Sequence, residues 1–385
     1  MIRCTSARVD LAAVQANYRA IAAYLARDAE LNRARPGAPD APGILPVIKA
    51  NAYGHGAVPV AGALRDAGAA WLAVADLEEG LELREAGDRG RILVFGALSV
   101  SDVEGVFTHD LTPTVSSPGA ARALATAARS RGVRLACHLK IDTGLNRLGF
   151  RHDNLGRTLP PVLGDPALDV EGLFTHFATA DDPEHALFET QRIRFDEARA
   201  TVARLGARPR LVHAANSAAC LRDSRTWGDL VRPGLLLYGL VPPPLASTLP
   251  LVPAMTLSSR VVAVKGVRSG EPIGYGARHV VDAPATLAVV PAGYADGLDR
   301  RLEGRGAALV RGRRAPIVGA VSMDMLTVDV TGIDGVGPGD EVVFLGAQGE
   351  ASWQRIDARE MAAWIGTIPY EVLCRLGARV KRRYD

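Results

Sequence analysis

Between about residues 10 and 240 the chain switches repeatedly between two textures. Short runs that are apolar at consecutive positions recur at Ile44–Lys49, Trp71–Ala75, Ile92–Gly96, Leu111–Val115, Leu135–Asp142, Val170–His176, Leu211–Asn216 and Val231–Gly239. Most of the gaps hold Ala-, Arg- and Glu-rich stretches with helical spacing, such as Leu77–Ala86 and Ala120–Arg131. Asp182-Pro183-Glu184 places an acid and a proline ahead of an amphipathic run to Leu205, which predicts a helix start. Strands apolar on successive residues are buried on both faces. Eight of them alternating with helices predict an α/β fold whose parallel strands close into a (β/α)8 barrel. A doubly wound open sheet is the competing architecture. However, no G-x-G-x-x-G follows the first strand and no G-x-x-x-x-G-K-[ST] occurs.

Pro242-Pro-Pro244 ends that pattern. Beyond it, Met255–Val267, Thr286–Val290, Arg314–Val321, Met325–Val330 and Glu341–Leu345 read as strands separated by Gly, Pro and Asp turns, with one helix near Ile356–Ile365. The expected organisation is an N-terminal TIM-like barrel over residues 1–245 and a C-terminal mainly β domain over residues 246–385, lengths at which each can bury a core. A formal net charge of +3 is too small to imply nucleic-acid or membrane partners. Cys4, Cys137, Cys220 and Cys374 lie far apart, with no spacing for a disulfide framework or structural zinc, so no metal is expected. No signal-peptide core or membrane-length apolar run is present, and a cytoplasmic protein is expected.

Lysine is rare here, four residues against 41 arginines, and one of the four is chemically loaded. Lys49 ends the β-prone run Ile44-Leu-Pro-Val-Ile-Lys49 and precedes the small-residue loop Ala50-Asn-Ala-Tyr-Gly-His-Gly56. A partly desolvated lysine amine can form an imine, whereas arginine does not, so Lys49 is a candidate Schiff-base nucleophile; a surface lysine is the plain alternative. In a barrel the active site lies at the C-terminal ends of the strands. Polar residues fall there in series: Lys49, Lys140 and Asp142, His176, Asn216 and Ser217, and Arg232. Each has a structural alternative, but a ring of them around one mouth points to chemistry.

Val47-Ile-Lys-Ala-Asn-Ala-Tyr-Gly-His-Gly56 resembles the cofactor-lysine motif of alanine racemases, barrel-type pyridoxal-phosphate enzymes of fold type III. Further matches to that family are His138-Leu-Lys-Ile-Asp-Thr-Gly-Leu-Asn-Arg-Leu-Gly149, His213-Ala-Ala-Asn-Ser-Ala218, Val231-Arg-Pro-Gly234, Ile273-Gly-Tyr-Gly276, Gly293-Tyr-Ala-Asp-Gly297, Ser322-Met-Asp-Met325 and Ile368-Pro-Tyr-Glu371. They occur in family order across nearly the whole chain. Two positions depart from some relatives, Ser322 where they carry cysteine and Asn146 where they carry glycine, and neither is a proton-transfer group.

The resemblance implies roles position by position. Lys49 would hold pyridoxal 5'-phosphate as an imine and then act as a base on one face of the substrate Cα. Tyr275 would act on the opposite face, because inversion needs a proton removed on one side and returned on the other. A tyrosine with an ordinary pKa near 10 is a poor base, so neighbouring cations or hydrogen bonds must lower it. Arg232 would face the pyridine nitrogen, where most pyridoxal enzymes place a carboxylate, and His176 would pack near the ring and orient Arg232. Tyr53, Ser217, Gly234 and Tyr370 would capture the phosphate. Arg147 and the backbone N–H of Met323 would contact the substrate carboxylate, and Tyr294 would narrow the entrance. Lys140 matches a lysine that is carbamylated in some members. Tyr275 and Met323 would reach the site from a second subunit, so a homodimer is implied. The expected reaction is interconversion of L- and D-alanine, supplying D-alanine for peptidoglycan. The alternatives are a racemase of broader specificity, a related barrel-type decarboxylase, a pyridoxal-phosphate carrier, or a lyase using Lys49 without a cofactor.

Overall fold

The computed structural model describes residues 4–32, 41–96, 103–349 and 354–385, which divide into two compact units. One comprises Val14–Ala52 and Ala57–Val252. The other comprises Met1–Ala13, Tyr53–Gly56 and Pro253–Asp385. Both are discontinuous in sequence, whereas the reading of the sequence treats each as one continuous stretch.

In the first unit, Trp71–Val74, Arg91–Val94, Thr112–Val115, Leu135–Asp142, Leu168–Phe174 and Leu211–His213 pair in that order, all parallel. Leu230–Val231 pairs with Gly43–Ile44, and bridges Val47↔Ala73 and Asn216↔Arg232 join these two short strands to the ends of the series. Eight parallel strands therefore close on themselves. Apolar residues at consecutive positions explain the closure, since Trp71–Val74 and Thr112–Val115 are buried at every position. Such strands need cover on both sides. Amphipathic helices provide it on the outside. In Pro118–Ser130, Ala121, Leu124, Ala125 and Ala128 form one buried stripe, with Ser117 capping the start and proline in the first turn.

Two local expectations are corrected. The helix expected from Asp182 begins at Leu187, because the Asp182 carboxylate accepts the Glu184 N–H in a tight turn and does not cap a helix. The strand expected over Val231–Gly239 stops at Val231. After Pro233 the chain winds into a 3₁₀ turn, Leu235–Tyr238, ended by Gly239 in the left-handed region.

The second unit is a sheet ordered Ala263–Val267, Ala285–Val290, Leu326–Asp329, Arg313–Val318, Ala307–Val310, Glu341–Gln348, Met255–Arg260, Ser6–Val9 and Lys381–Tyr384. All neighbours are antiparallel except the last pair, where the two ends of the chain run parallel. Among the described residues no helix is long and apolar enough to cross a membrane, and no group of His, Cys, Asp and Glu is arranged to hold a metal ion.

Candidate active site

Lys49 follows directly on the bridge that joins the first and second barrel strands, where Ile48 N–H donates to Ala73 O at 2.9 Å. From there the backbone leaves the strand in an unusual way. Ala50, Asn51, Ala52 and Tyr53 all have φ near +52°, a left-handed turn of four side-chain-bearing residues that ends at Gly54. Left-handed backbone costs about 1–2 kcal/mol per such residue, so the surroundings must hold it. Asn51 Oδ1 accepts the Ala57 N–H at 2.7 Å, and Ala52 N–H donates back to Ile48 O at 2.8 Å. Glu79 accepts the Ala50 N–H on one carboxylate oxygen and the Ala75 N–H, at 2.7 Å, on the other. It thus ties the residue after Lys49 to the end of the second strand. Burial raises the Glu79 carboxyl pKa despite these two donors.

The barrel mouth is a crowd of cations. Lys140 is 4% exposed, and its amine is pulled down to about 8 by burial and then by Arg147, Arg232 and Lys49, against the opposing pull of Asp142. The Asp142 carboxylate instead receives the N–H groups of Gly144 and Asn146. Asn146 has φ +56°, a conformation open to glycine and asparagine above other residues, which accounts for asparagine at this place. Arg147 is exposed. Phe174 lies beneath both Lys140 and Arg232, its ring centre 5.8 Å from the amine and 5.4 Å from the guanidinium carbon.

Arg232 is 3% exposed and anchored from behind. Its Nη2 donates to Thr175 O (2.8 Å) and Ala214 O (2.9 Å) and faces His176 Nδ1 at 3.4 Å, while Nη1 donates to His213 Nδ1 at 2.9 Å. Among the described residues no carboxylate pairs with it and its Nε–H has no acceptor. Burial lowers the guanidinium to about 9, so it stays cationic at neutral pH. The His176 imidazole is driven well below its ordinary value by burial and by Arg232, which keeps it a neutral acceptor. Gln191 fixes its backbone, donating to His176 O at 3.1 Å. Ser217 and Gly234 meet directly, the glycine N–H donating to the serine Oγ at 2.9 Å. Lys49, Lys140, Arg147, His176, Ser217, Arg232 and Gly234 thus all belong to the barrel unit.

The remaining predicted residues lie in the β unit. Tyr53 and Tyr370 come together with ring centres 5.9 Å apart. Tyr294 and Met323 stand on loops stitched to each other, with Tyr294 N–H to Ser322 O at 3.0 Å and Ala295 N–H to Met323 O at 3.2 Å. Only glycine fits at 293 between them, because a Cβ there would lie 2.3 Å from Ser322 O. Arg379 secures the same pair of loops through the buried Asp296, Met323 O and Asp324. Tyr275 sits in a short turn beside residues 319–320 and is 76% exposed; Met323 is 52% and Tyr294 43% exposed.

Sequence reasoning singled out neither Glu79 nor the buried histidines His138 and His213 with Glu171. His138 stands two residues before Lys140 on one strand, so the two share a face, and that period-2 spacing is the signal that points to it.

Residues 9–242 match the family model for the alanine racemase N-terminal domain, and residues 254–384 match that for the alanine racemase C-terminal domain. An alanine racemase of Symbiobacterium thermophilum is 41% identical over all of this chain and 97% of its own length. The crystal structure of alanine racemase from D-cycloserine-producing Streptomyces lavendulae is 37% identical, with a TM-score of 0.90 over 100% of this chain and 98% of that one. The alanine racemase of Bartonella henselae, solved with covalently bound pyridoxal phosphate, is 28% identical, with a TM-score of 0.86 over 99% of both chains.

Proposed function

Because the chain belongs to the alanine racemase family, we propose that Lys49 and Tyr275 carry the two proton transfers of its reaction, the pyridoxal-phosphate-dependent interconversion of L- and D-alanine. When bound, pyridoxal phosphate supplies the electron sink that makes the substrate Cα–H acidic. The barrel residues suit that group. Lys49 offers an amine for its aldehyde carbon, and the cations Lys49, Lys140, Arg147 and Arg232 suit its negative charge and that of the substrate carboxylate. Tyr53, Ser217, Gly234 and Tyr370 offer hydroxyl and backbone N–H groups to the phosphate. Arg147 and the Met323 N–H hold the substrate carboxylate, and Tyr294 narrows the way in.

Arg232 carries the reading. A buried guanidinium with no carboxylate partner and an Nε–H without an acceptor is built to donate to a neutral ring nitrogen. Being cationic at neutral pH, it keeps that nitrogen unprotonated and the sink weak, which favours prompt return of the proton to Cα over its loss elsewhere. His176, held neutral, accepts from Arg232 and helps to orient it.

Tyr275 is in the β unit and Lys49 in the barrel unit. Tyr275, Tyr294 and Met323 leave large apolar surfaces uncovered, which supports a homodimer in which each copy completes the other's site. Cys137 and Cys220 are buried thiols, which supports a place in the reducing cytoplasm; there the D-alanine formed would feed peptidoglycan.

Borohydride treatment of the coloured holoenzyme is expected to fix the cofactor on Lys49. Tyr275→Phe is expected to keep the colour while racemisation falls about 100- to 10,000-fold, the usual effect of removing a general base. Full activity in that variant removes Tyr275 from the mechanism.

A further inference from the structure

Behind Arg232 a chain of buried polar groups runs through the barrel interior. Arg232 Nη1 donates to His213 Nδ1 at 2.9 Å, His213 Nε2 lies 2.8 Å from His138 Nδ1, and His138 Nε2 faces Glu171 Oε1 at 3.7 Å. His138 and His213 are wholly buried and Glu171 is 2% exposed. Glu171 is in turn held by Arg91 through both oxygens and by Arg210 at 3.1 Å. The neighbouring His138 and Arg91 outweigh the opposing effect of burial and bring its carboxyl down to about 2.

The proton positions follow from elementary donor and acceptor rules. A guanidinium can only donate, so His213 Nδ1 must accept. Burial lowers the pKa of both imidazoles; at His138 it outweighs the opposing pull of Glu171, and Arg232 pushes both the same way as burial, so each is neutral with a single N–H. The His213 proton is therefore on Nε2 and is donated to His138 Nδ1. The His138 proton is then also on Nε2, on the side of the Glu171 carboxylate, which at 3.7 Å lies just beyond hydrogen-bond length. Its facing carboxylate is the group at the far end that favours this direction.

We propose that His138 and Glu171 are positioning residues for Arg232, which the carboxylate holds in place by fixing the tautomer of both imidazoles. The inference rests on the reading of Arg232 as the donor that faces the cofactor. Without the carboxylate, His138 is free to carry its proton on Nδ1 and donate to His213. His213 would then hold its proton on Nδ1, against the Arg232 N–H. Two donors facing each other in a buried site repel, and the guanidinium must shift.

The backbone is adapted to this chain. In the parallel pairing of Leu135–Asp142 with Leu168–Phe174, Cys137 pairs with Val170 but His138 with Gly172. The register slips by one and leaves Glu171 without a partner, the kind of irregularity that re-aims a side chain. Gly172 makes room for the imidazole, since a Cβ there would lie 2.3 Å from His138 Cγ and Nδ1. Phe174 stacks on His213 with planes 7° apart, and Trp71 packs edge-on against His138.

Nitrogen NMR of histidine-labelled holoenzyme tests the proton positions without reference to turnover. Protons on Nε2 of both His138 and His213 are expected; a proton on Nδ1 of either overturns the proposal. Kinetics of Glu171→Leu, Glu171→Gln and Arg232→Ala test the consequence. Glu171→Leu is expected to lower kcat by up to about 100-fold, as for a group displaced by about 1 Å, with KM within about threefold. It is also expected to shift the absorption of the bound cofactor. Glu171→Gln, which keeps an acceptor oxygen for His138, should recover most of both. Wild-type kinetics and absorption in Glu171→Leu beside an impaired Arg232→Ala overturn the relay alone. Wild-type behaviour in both overturns the reading of Arg232 and the relay with it. Should Glu171→Leu not fold, Gly172→Ala, which crowds His138, serves in its place with the same expected and overturning results.

Discussion

Lys140 is set apart from an ordinary surface lysine by its burial and by three neighbouring cations, which together bring its amine to about 8. The unfolded chain keeps that proton to about 10.5, so between these values the unfolded state binds more protons and this residue's contribution to stability rises with pH. An amine partly neutral near pH 8 is open to carbon dioxide, and an anionic carbamate would relieve the crowding of positive charge. We expect a carbamate signal from carbon-13-labelled bicarbonate that grows between about pH 7 and 9 and is absent in Lys140→Arg. No signal at any pH would leave Lys140 a plain cation. Arg232 offers a second test at this scale. Arg232→Glu puts an acid where a cation stands at neutral pH, which should protonate the ring nitrogen, strengthen the sink and raise transamination relative to racemisation. An unchanged ratio, read as pyridoxamine phosphate formed per turnover, would count against the role given to Arg232.

The decisive element is the left-handed turn after Lys49. Its residues, Ala50-Asn-Ala-Tyr53, carry no sequence mark of that conformation, since asparagine alone among them tolerates it well. Long-range contacts impose it. Glu79 has both oxygens occupied by backbone donors, so Glu79→Gln turns an amide N–H toward one of them. A loss of about 1–3 kcal/mol is expected in urea unfolding, together with slower uptake of pyridoxal phosphate by the apoprotein. Unchanged stability and uptake would mean that the turn is held by Asn51 and the chain beyond it. The barrel strands behave differently from this loop. Their apolar runs specify burial on both faces by themselves, and the observed strands fall within a few residues of those expected. The short Gly43–Ile44, where a strand to Lys49 is expected, and Leu230–Val231 are the exceptions, because Pro46 and Pro233 lack the N–H that further pairing requires.

For the whole molecule the question is which chain supplies each base. If each site takes Lys49 from one copy and Tyr275 from the other, Lys49→Ala and Tyr275→Phe complement each other. A mixed dimer places both defects in one site and leaves the other intact. Unfolding and refolding an equal mixture should then restore about a quarter of wild-type activity, since half the dimers are mixed and each has one working site. If both bases come from one chain, the mixture stays inactive. The β unit draws on three separate parts of the sequence, Ser6–Val9 lying between Met255–Arg260 and Lys381–Tyr384. A four-residue strand carries too little alternation to be read alone, and the partners that stabilise it lie about 250 and 375 residues away.

The order of strands and helices in the barrel, and the polar residues near the strand ends, were legible from the chain alone, because burial on both faces is written as a local apolar run and a strand's end fixes where the next side chains stand. Tertiary structure alone decided which buried groups meet: Glu79 with the Ala50 N–H, and Glu171 with His138 through a one-residue slip between neighbouring strands. Such contacts depend on register and on positions far apart in sequence. A buried carboxylate reads the same in a sequence whether it faces an imidazole or an arginine, and only the folded backbone chooses.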